Sequence, residues 1–351
     1  MKRTNSLVQC AHGKQNNLDL FRFIAALLVI FSHAFPLCLG MNALDPLARL
    51  TANHLSFGGL AVSVFFVYGG FLIAQSAERS KTARHYFVSR CFRIFPALWF
   101  VTLAIAFVIG PFFSELSADA YFQAPDTYLY LLNGILVLRH PLPGVFTHNL
   151  YNTTVNGALW TLPIEFLCYI ACFIAYKLGF LKKERFLWSV PIMIAFYFGI
   201  PHLIGAESIL NAALRPIMLF YIGMGFYVYR DFISLRIPIA LLCVLIIIIS
   251  VPLGFLEFSF LLCFPYVMFT FGFGCKQIWP SFTKRGEFSY GIYLWGWPIQ
   301  QCLCALFQNS LTPIANFLIA TPLAILMGIV SYYFIERYCN QLKAKLTRQF
   351  K

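Results

Sequence analysis

The stretch Leu18–Leu37, LDLFRFIAALLVIFSHAFPL, decides how this chain is read. It is long and apolar enough to cross a bilayer, yet it carries Asp19, Arg22 and His33. Ionisable side chains inside a membrane helix are costly and by default mark function. Arg22 and His33 stand eleven residues apart, which on an α-helix returns them to within about 20° of one face and separates them by about 16 Å along the axis. One helix thus offers a cation near one membrane surface and an imidazole deeper in.

The rest of the chain extends this reading. Of its 351 residues, 60% are hydrophobic and 11% are charged, against about 25% charged in a soluble domain. The net charge of +13 would suggest nucleic acid on a soluble protein, but here the cations fall in short segments between apolar runs. No nucleic-acid partner is expected; membrane lipids are. The eleven cysteines are scattered without a CxxC or Cys/His ligand spacing. No metal site and no disulfide framework is expected. The first apolar run is not succeeded by a small-residue cleavage site, so it reads as a retained span rather than a signal peptide.

Ten apolar runs cover 18–38, 57–77, 92–113, 158–178, 186–204, 211–229, 237–254, 256–274, 288–309 and 313–336. With the N-terminus in the cytoplasm, the inside segments collect Lys2, Arg3 and Lys14; Arg79, Lys81, Arg84, Arg90 and Arg93; Lys182, Lys183 and Arg185; Arg230 and Arg236; Lys276, Lys284 and Arg285; and Lys343, Lys345, Arg348 and Lys351. The outside segments hold Arg49, Arg139 and Arg215. This positive-inside pattern predicts an all-α polytopic membrane helical bundle of about ten transmembrane helices with both termini cytoplasmic. It places Arg22 on the cytoplasmic side and His33 towards the outside. Residues 1–351 read as a single integral-membrane domain, with a cytoplasmic N-terminal segment 1–17 and a cytoplasmic tail 338–351. The long outside segment 114–157 contains a helical stretch, Asp126–Arg139, too short to span. It is either a surface connector or a place to meet an external substrate. No internal repeat of the transporter kind is visible.

Three groups could carry chemistry. His33 is either a general base for a hydroxyl or a histidine satisfied by a neighbouring helix. Arg90 and Arg93, in SRCFRIFPALWF, share a helix face. Two guanidinium forks there suit a phosphate, or simply anchor the span by snorkelling. Glu165, in GALWTLPIEFLCYI, is a carboxylate inside a span that needs a partner: an arginine, His33 or a sugar hydroxyl. Glu336–Arg337 in YYFIERY reads as the cytoplasmic end of the last span. The glycines of GGLAVSVFFVYGGFLIAQS allow close helix packing.

LDLFRFIAALLVIFSH, GGLAVSVFFVYGGFLI, RCFRIFP, LWTLPIEF, SYGIYLWGWPIQ and FIERY, in this order and spacing, resemble the acyltransferase-3 family of bacterial integral-membrane acyltransferases across nearly the whole chain. The resemblance implies about ten helices and transfer of an acyl group, usually acetyl, from cytosolic acyl-CoA to an extracytoplasmic sugar at the bacterial inner membrane. The family's Arg–ten residues–His motif falls on Arg22 and His33, its Arg-x-x-Arg motif on Arg90 and Arg93, and the acidic residue of its LW motif on Glu165. By resemblance, His33 is essential to transfer and the arginines engage the CoA donor. Acetyl-CoA is then a substrate, and no permanently bound cofactor is implied. The implied acceptor is an envelope polysaccharide, such as O-antigen or exopolysaccharide, or a lipid-linked sugar.

Two positions depart from the family pattern. Gly69 stands where many members have serine, and Gly296 stands where SYSLYLWHWP has histidine. The chain lacks the SGNH-type hydrolase domain that some members carry. Two other functions use the same residues: a glycolipid or polysaccharide transporter or flippase without acyl transfer, and a non-catalytic scaffold of a polysaccharide assembly complex.

Overall fold

A hydrocarbon environment leaves backbone polar groups no partner but each other, so a membrane-spanning chain of this composition must be helical. The computed structural model describes residues 6–11, 16–80, 82–152, 154–203, 209–280 and 286–348, and no β-strand occurs among them. Lys2, Arg3, Lys14, Lys81, Lys284, Arg285 and Lys351, which carry part of the expected orientation signal, lie outside the described residues.

A helix covers each of the ten apolar runs: α1 Leu18–Leu39, α2 Phe57–Arg79, α3 Ala83–Ala104, α4 Thr161–Lys177, α5 Lys183–Leu203, α6 Ile209–Val228, α7 Ile237–Ser250, α8 Leu256–Phe269, α9 Ser289–Leu306 and α10 Pro313–Ser331. Among the described residues, seven helices are long and apolar enough to cross a membrane. The chain is therefore a multi-pass membrane protein. Helix α7, with 14 residues, is shorter than the roughly 17–25 residues a span needs. Helix α9 carries Gln300 and Gln301 among its apolar residues.

Two ends differ from expectation. Helix α3 begins at Ala83, not near residue 92, because Thr82 caps it by accepting the His85 amide. Its first turns are polar, so apolarity alone begins too late. The last span does not end its helix at residue 336. A π turn, Tyr332–Glu336, leads into Arg337–Arg348, since RYCNQLKAKLTR loses its apolar character without gaining a helix breaker.

The chain forms two compact units that alternate along the sequence. The first comprises Met1–Arg22, Val62–Lys81 and Ile164–Arg285. Its tightest packing is reciprocal: a Cβ at Gly70 of α2 would fall on the Phe220 carbonyl of α6, and a Cβ at Gly223 would fall on the Val67 carbonyl. Two backbones touch where glycine permits it, as small residues do in membranes. Phe71, Phe269 and Phe273 pack beside this crossing. Asn17 ties the start of α1 to the end of α8, donating to the Phe271 and Lys276 carbonyls and accepting from the Ile278 amide.

The second unit comprises Phe23–Ala61, Thr82–Pro163 and Gly286–Lys351. Helices α9 and α10 approach closely at Gly291 and Gly328, where a Cβ on Gly291 would stand 2.8 Å from the Gly328 Cα. The stretch expected to be helical within residues 114–157 forms Pro125–Leu129 and then a 3-10 turn, Tyr130–Ile135. It stops at Leu136, whose φ of 67° is left-handed. Gly134 seats that turn under the Trp99 ring of α3, and Asn133 closes it through the Tyr130 and Arg139 backbone.

A Cβ at Gly69 would meet the Phe220 ring at an ordinary 3.6 Å, so the serine of other family members would fit there. Gly70→Leu, which must push two backbones apart, is expected to lose at least the roughly 1–3 kcal/mol of an overpacked core, while Gly69→Ser stays near wild type. Thermal unfolding in detergent checks this; an unchanged midpoint for Gly70→Leu would disprove the close crossing.

Candidate active site

His33 lies on α1 within the second unit. Its ring packs edge-on to Trp297 of α9, with centroids 4.7 Å apart and planes at 74°. Its Nδ1 is buried and, among the described residues, makes no hydrogen bond. Trp297 is itself fixed from three sides. Its indole N–H donates to the Thr154 carbonyl at 3.2 Å, Tyr151 packs against it at 5.1 Å, and it covers Gly157, where a Cβ would come within 2.7 Å of the ring. One turn along α9, Gln301 donates to the Tyr151 and Thr154 carbonyls at 2.6 and 2.9 Å and accepts from Asn149 at 2.7 Å. The end of the segment 114–157 is thereby held against α9. Tyr293 donates to the Ala158 carbonyl, and Asn156 donates to the Leu294 carbonyl. The GALW stretch is thus carried beside His33 by side chains of SYGIYLWGWPIQQ.

The backbone next to His33 is pinned by a residue that sequence reasoning misses. Asp45 is only 3% exposed. Its carboxylate accepts from Ser32 at 2.6 Å, from the Ala48 amide at 2.9 Å and from the Phe57 amide at 2.9 Å. It caps the short helix Pro46–Leu50 and clasps α1 at the residue before His33. The Asp-Pro pair is a visible helix start; its reach back to Ser32 is not visible in the sequence.

Gly296 sits one residue from Trp297. A Cβ there would stand 2.7 Å from the Ile30 side chain. Ile30, one turn before His33, fills the space next to Gly296, so apolar packing occupies the place where the resemblance leads one to expect a histidine.

Arg93 is held elsewhere in the same unit. Its guanidinium donates to Glu287 at 2.7 Å and lies 3.7 Å from Glu336. It also covers the Tyr290 ring at 5.4 Å, while the Tyr290 hydroxyl donates to the Ile94 carbonyl. Glu336 is 4% exposed and accepts from Ser331. It is more than the end of a span: the π turn Tyr332–Glu336 directs its carboxylate at Arg93. Glu287 sits in a segment that sequence reasoning reads only for its cations. Arg90, one turn before Arg93, and Lys343 of the last helix belong to the same group, since Lys343 feels the charges of both arginines. The expected Arg pair is thus a cluster of three cations and two carboxylates.

The other two expected site residues fall in the first unit. Arg22 lies near the start of α1, which is unbroken from Leu18 to Leu39. Glu165 lies on α4, where Tyr169, one turn on, donates to its Oε1. Within that unit its partner is a phenol, which satisfies the carboxylate without neutralising it.

A multi-pass helical protein with an orphaned imidazole on one span and a cation cluster built from three separated motifs has the parts of a membrane-embedded group-transfer enzyme. The chain belongs to the acyltransferase-3 family: the family's acyltransferase domain matches residues 15–335. It is an acyltransferase of the O-acetyltransferase type. It is 28% identical over 348 residues to the O-acetyl transferase of Shigella phage Sf6, covering 95% of this chain and 99% of that protein. It is 24% identical over 321 residues to the exopolysaccharide production protein ExoZ of Rhizobium meliloti, covering 83% of this chain and 92% of that one. Nodulation protein 10 of Rhizobium leguminosarum bv. viciae is 35% identical over 167 residues, 45% of this chain and 43% of that protein. No solved structure matches.

Both the arginine cluster and the Asp45 clasp can be tested by substitution. Glu336→Gln removes one carboxylate from Arg93 and is expected to cost about 2 kcal/mol, and Arg93→Lys, which cannot fork to two partners, is expected to cost as much. Unfolding midpoints equal to wild type in both would refute the network. Asp45→Ala strands three donors and is expected to cost about 2–3 kcal/mol, with acyl transfer falling more than stability explains because Ser32 adjoins His33. Activity measured on the folded fraction tests that.

Proposed function

We propose that this protein moves an acyl group, acetyl in the simplest case, from cytosolic acyl-CoA to a hydroxyl of an extracytoplasmic envelope glycan. The observation that carries the reading is the buried, unpartnered Nδ1 of His33 beside Trp297. A buried polar atom without a hydrogen bond forfeits about 1–3 kcal/mol and calls for an explanation; a substrate hydroxyl supplies one. The names of two relatives that match most of this chain, an O-acetyl transferase and an exopolysaccharide production protein, support transfer to a polysaccharide. O-antigen, exopolysaccharide or a lipid-linked precursor is the class of acceptor.

In this reading all ten helices cross the bacterial inner membrane and both termini are cytoplasmic. The cluster of Arg90, Arg93 and Lys343 then faces the cytoplasm and receives the phosphates of CoA. Arg93, fixed by Glu287 and Glu336, holds the shape of the cluster, and Arg90 and Lys343 supply charge. Tyr290 beside Arg93 and Trp297 beside His33 are seven residues apart on α9, about 10 Å along the axis. The pantetheine arm of CoA bridges such a gap and brings its thioester to the imidazole. His33 takes the proton of the acceptor hydroxyl. The oxygen attacks the thioester carbonyl, the carbon–sulfur bond breaks, and the proton passes from the imidazolium to the departing thiolate. Arg22 engages the CoA donor, as the resemblance implies for the arginines, and Glu165 is offered to a sugar hydroxyl.

With purified protein in lipid nanodiscs, labelled acetyl-CoA and the de-esterified host glycan as acceptor, His33→Ala is expected to lower transfer by at least about 10²–10⁴-fold while the protein remains folded. Arg90→Ala is expected to raise the KM for acetyl-CoA with little change in kcat. Undiminished transfer by His33→Ala would overturn the mechanism. A host glycan that keeps all its ester mass when the gene is deleted would overturn the acceptor.

A further inference from the structure

Beyond His33, the second unit contains a cavity of about 490 Å³ that the mechanism does not use. Its size is typical of small-molecule sites. It lies between the outside segment and the turn after α9, and its wall includes Phe113, Glu115, Phe146, His148, Asn149 and Gln308.

We propose that this cavity is a subsite for a neutral, hydroxyl-rich glycan unit lying along the acceptor strand at a distance from the acylated sugar. The proposal rests on the reading that the acceptor is an envelope glycan.

The chemistry of the wall selects the ligand. Glu115 Oε1 accepts from Thr147 at 2.5 Å and lies 2.6 Å from His148 Nε2. Among the described residues its Oε2 accepts no hydrogen bond, and the side chain is half exposed. A carboxylate oxygen presented this way accepts from sugar hydroxyls. Gln308 adds a donor and an acceptor in an exposed amide, and Phe113, packed on the buried Phe146 with centroids 5.2 Å apart, adds apolar surface. Among the described residues, no lysine or arginine lines the cavity, which disfavours a phosphate or another anion. An apolar wall with a few convergent polar groups is the usual make-up of a site that orients a small polar molecule.

The backbone supports a built site. Phe146, Gln308 and Asn309 all have left-handed φ angles, 57°, 50° and 58°, a conformation that is costly for residues with a side chain. Asn309 keeps the two loops together by donating to the His148 carbonyl at 2.9 Å.

The position supports a strand rather than a single sugar. Asn149, in the wall, is bonded to Gln301, which lies one turn from Trp297. Ala305, also in the wall, stands eight residues beyond Trp297 on α9, about 12 Å along the axis. A ligand reaching both the cavity and His33 is longer than one sugar ring.

The test uses the full-length protein in nanodiscs, labelled acetyl-CoA and de-esterified host glycan hydrolysed to fragments of graded length. Wild type is expected to show a lower KM for long fragments than for the shortest acceptor. Glu115→Gln and Gln308→Ala should each shrink that advantage about tenfold, the loss of one hydrogen bond to a well-placed partner, with kcat unchanged. Asp126→Asn, an exposed change on the same segment away from the cavity, should leave the advantage intact. If both cavity variants keep the wild-type length preference, the subsite is wrong and the acceptor reading stands. A wild-type enzyme with no length preference also refutes the subsite. If wild type acylates no glycan fragment, the acceptor reading falls and the subsite with it.

Discussion

A guanidinium within an apolar bundle persists where carboxylates neutralise it, and Arg93 has two. Glu287 approaches from the turn before α9 and Glu336 from the π turn that ends the span of α10. Removing Arg93 would leave two carboxylates facing one another in a poorly solvated place. The segments that carry Arg93, Glu287 and Glu336, far apart in sequence, are therefore obliged to meet. That meeting fixes where α9 begins, and with it the position of every side chain that α9 presents.

Along α9 the second unit is laid out in order. Tyr290 lies under Arg93, Trp297 stands against His33, Gln301 holds the segment 114–157, and Ala305 borders the cavity. A straight helix rises about 1.5 Å per residue, so these side chains set the distances among a cation cluster, an imidazole and a polar-walled hollow. The close Gly291–Gly328 approach to α10 and the hydrogen bonds of Gln300 to Asn316 and the Ile30 carbonyl keep this helix in place. The buried glutamines lower its hydropathy, and the same residues bind it to its neighbours.

The departures from the family pattern acquire physical content. Gly69 leaves ordinary space that a serine could occupy, so its substitution is a local matter. Gly296 is different, because the Ile30 side chain lies within contact distance of any Cβ placed there. The imidazole of other members cannot be restored without displacing the residue one turn before His33. What holds His33 in this unit is Trp297, and Asp45 through Ser32.

Apolar runs make the helices legible from sequence even where a proline lies inside them, as at Pro36, Pro96 and Pro298, because a backbone in hydrocarbon has no other way to satisfy itself. Candidate residues are legible as ionisable groups in apolar surroundings: His33, Arg22, Arg90, Arg93 and Glu165 all announce themselves by their cost. Their partners are not. Glu287 and Asp45 sit in polar segments where a carboxylate is unremarked, and Glu336 looks like the edge of a span. Helix ends at Ala83 and beyond Glu336 escape a hydropathy reading because hydropathy reports the membrane while capping and helix propensity decide the helix. The sequence by itself determined the secondary structure, the family and the groups too costly to be idle. Tertiary structure alone decided which carboxylates meet Arg93, what holds His33, and which loops enclose a cavity, since those contacts join residues up to two hundred and seventy positions apart and depend on packing that no local pattern encodes.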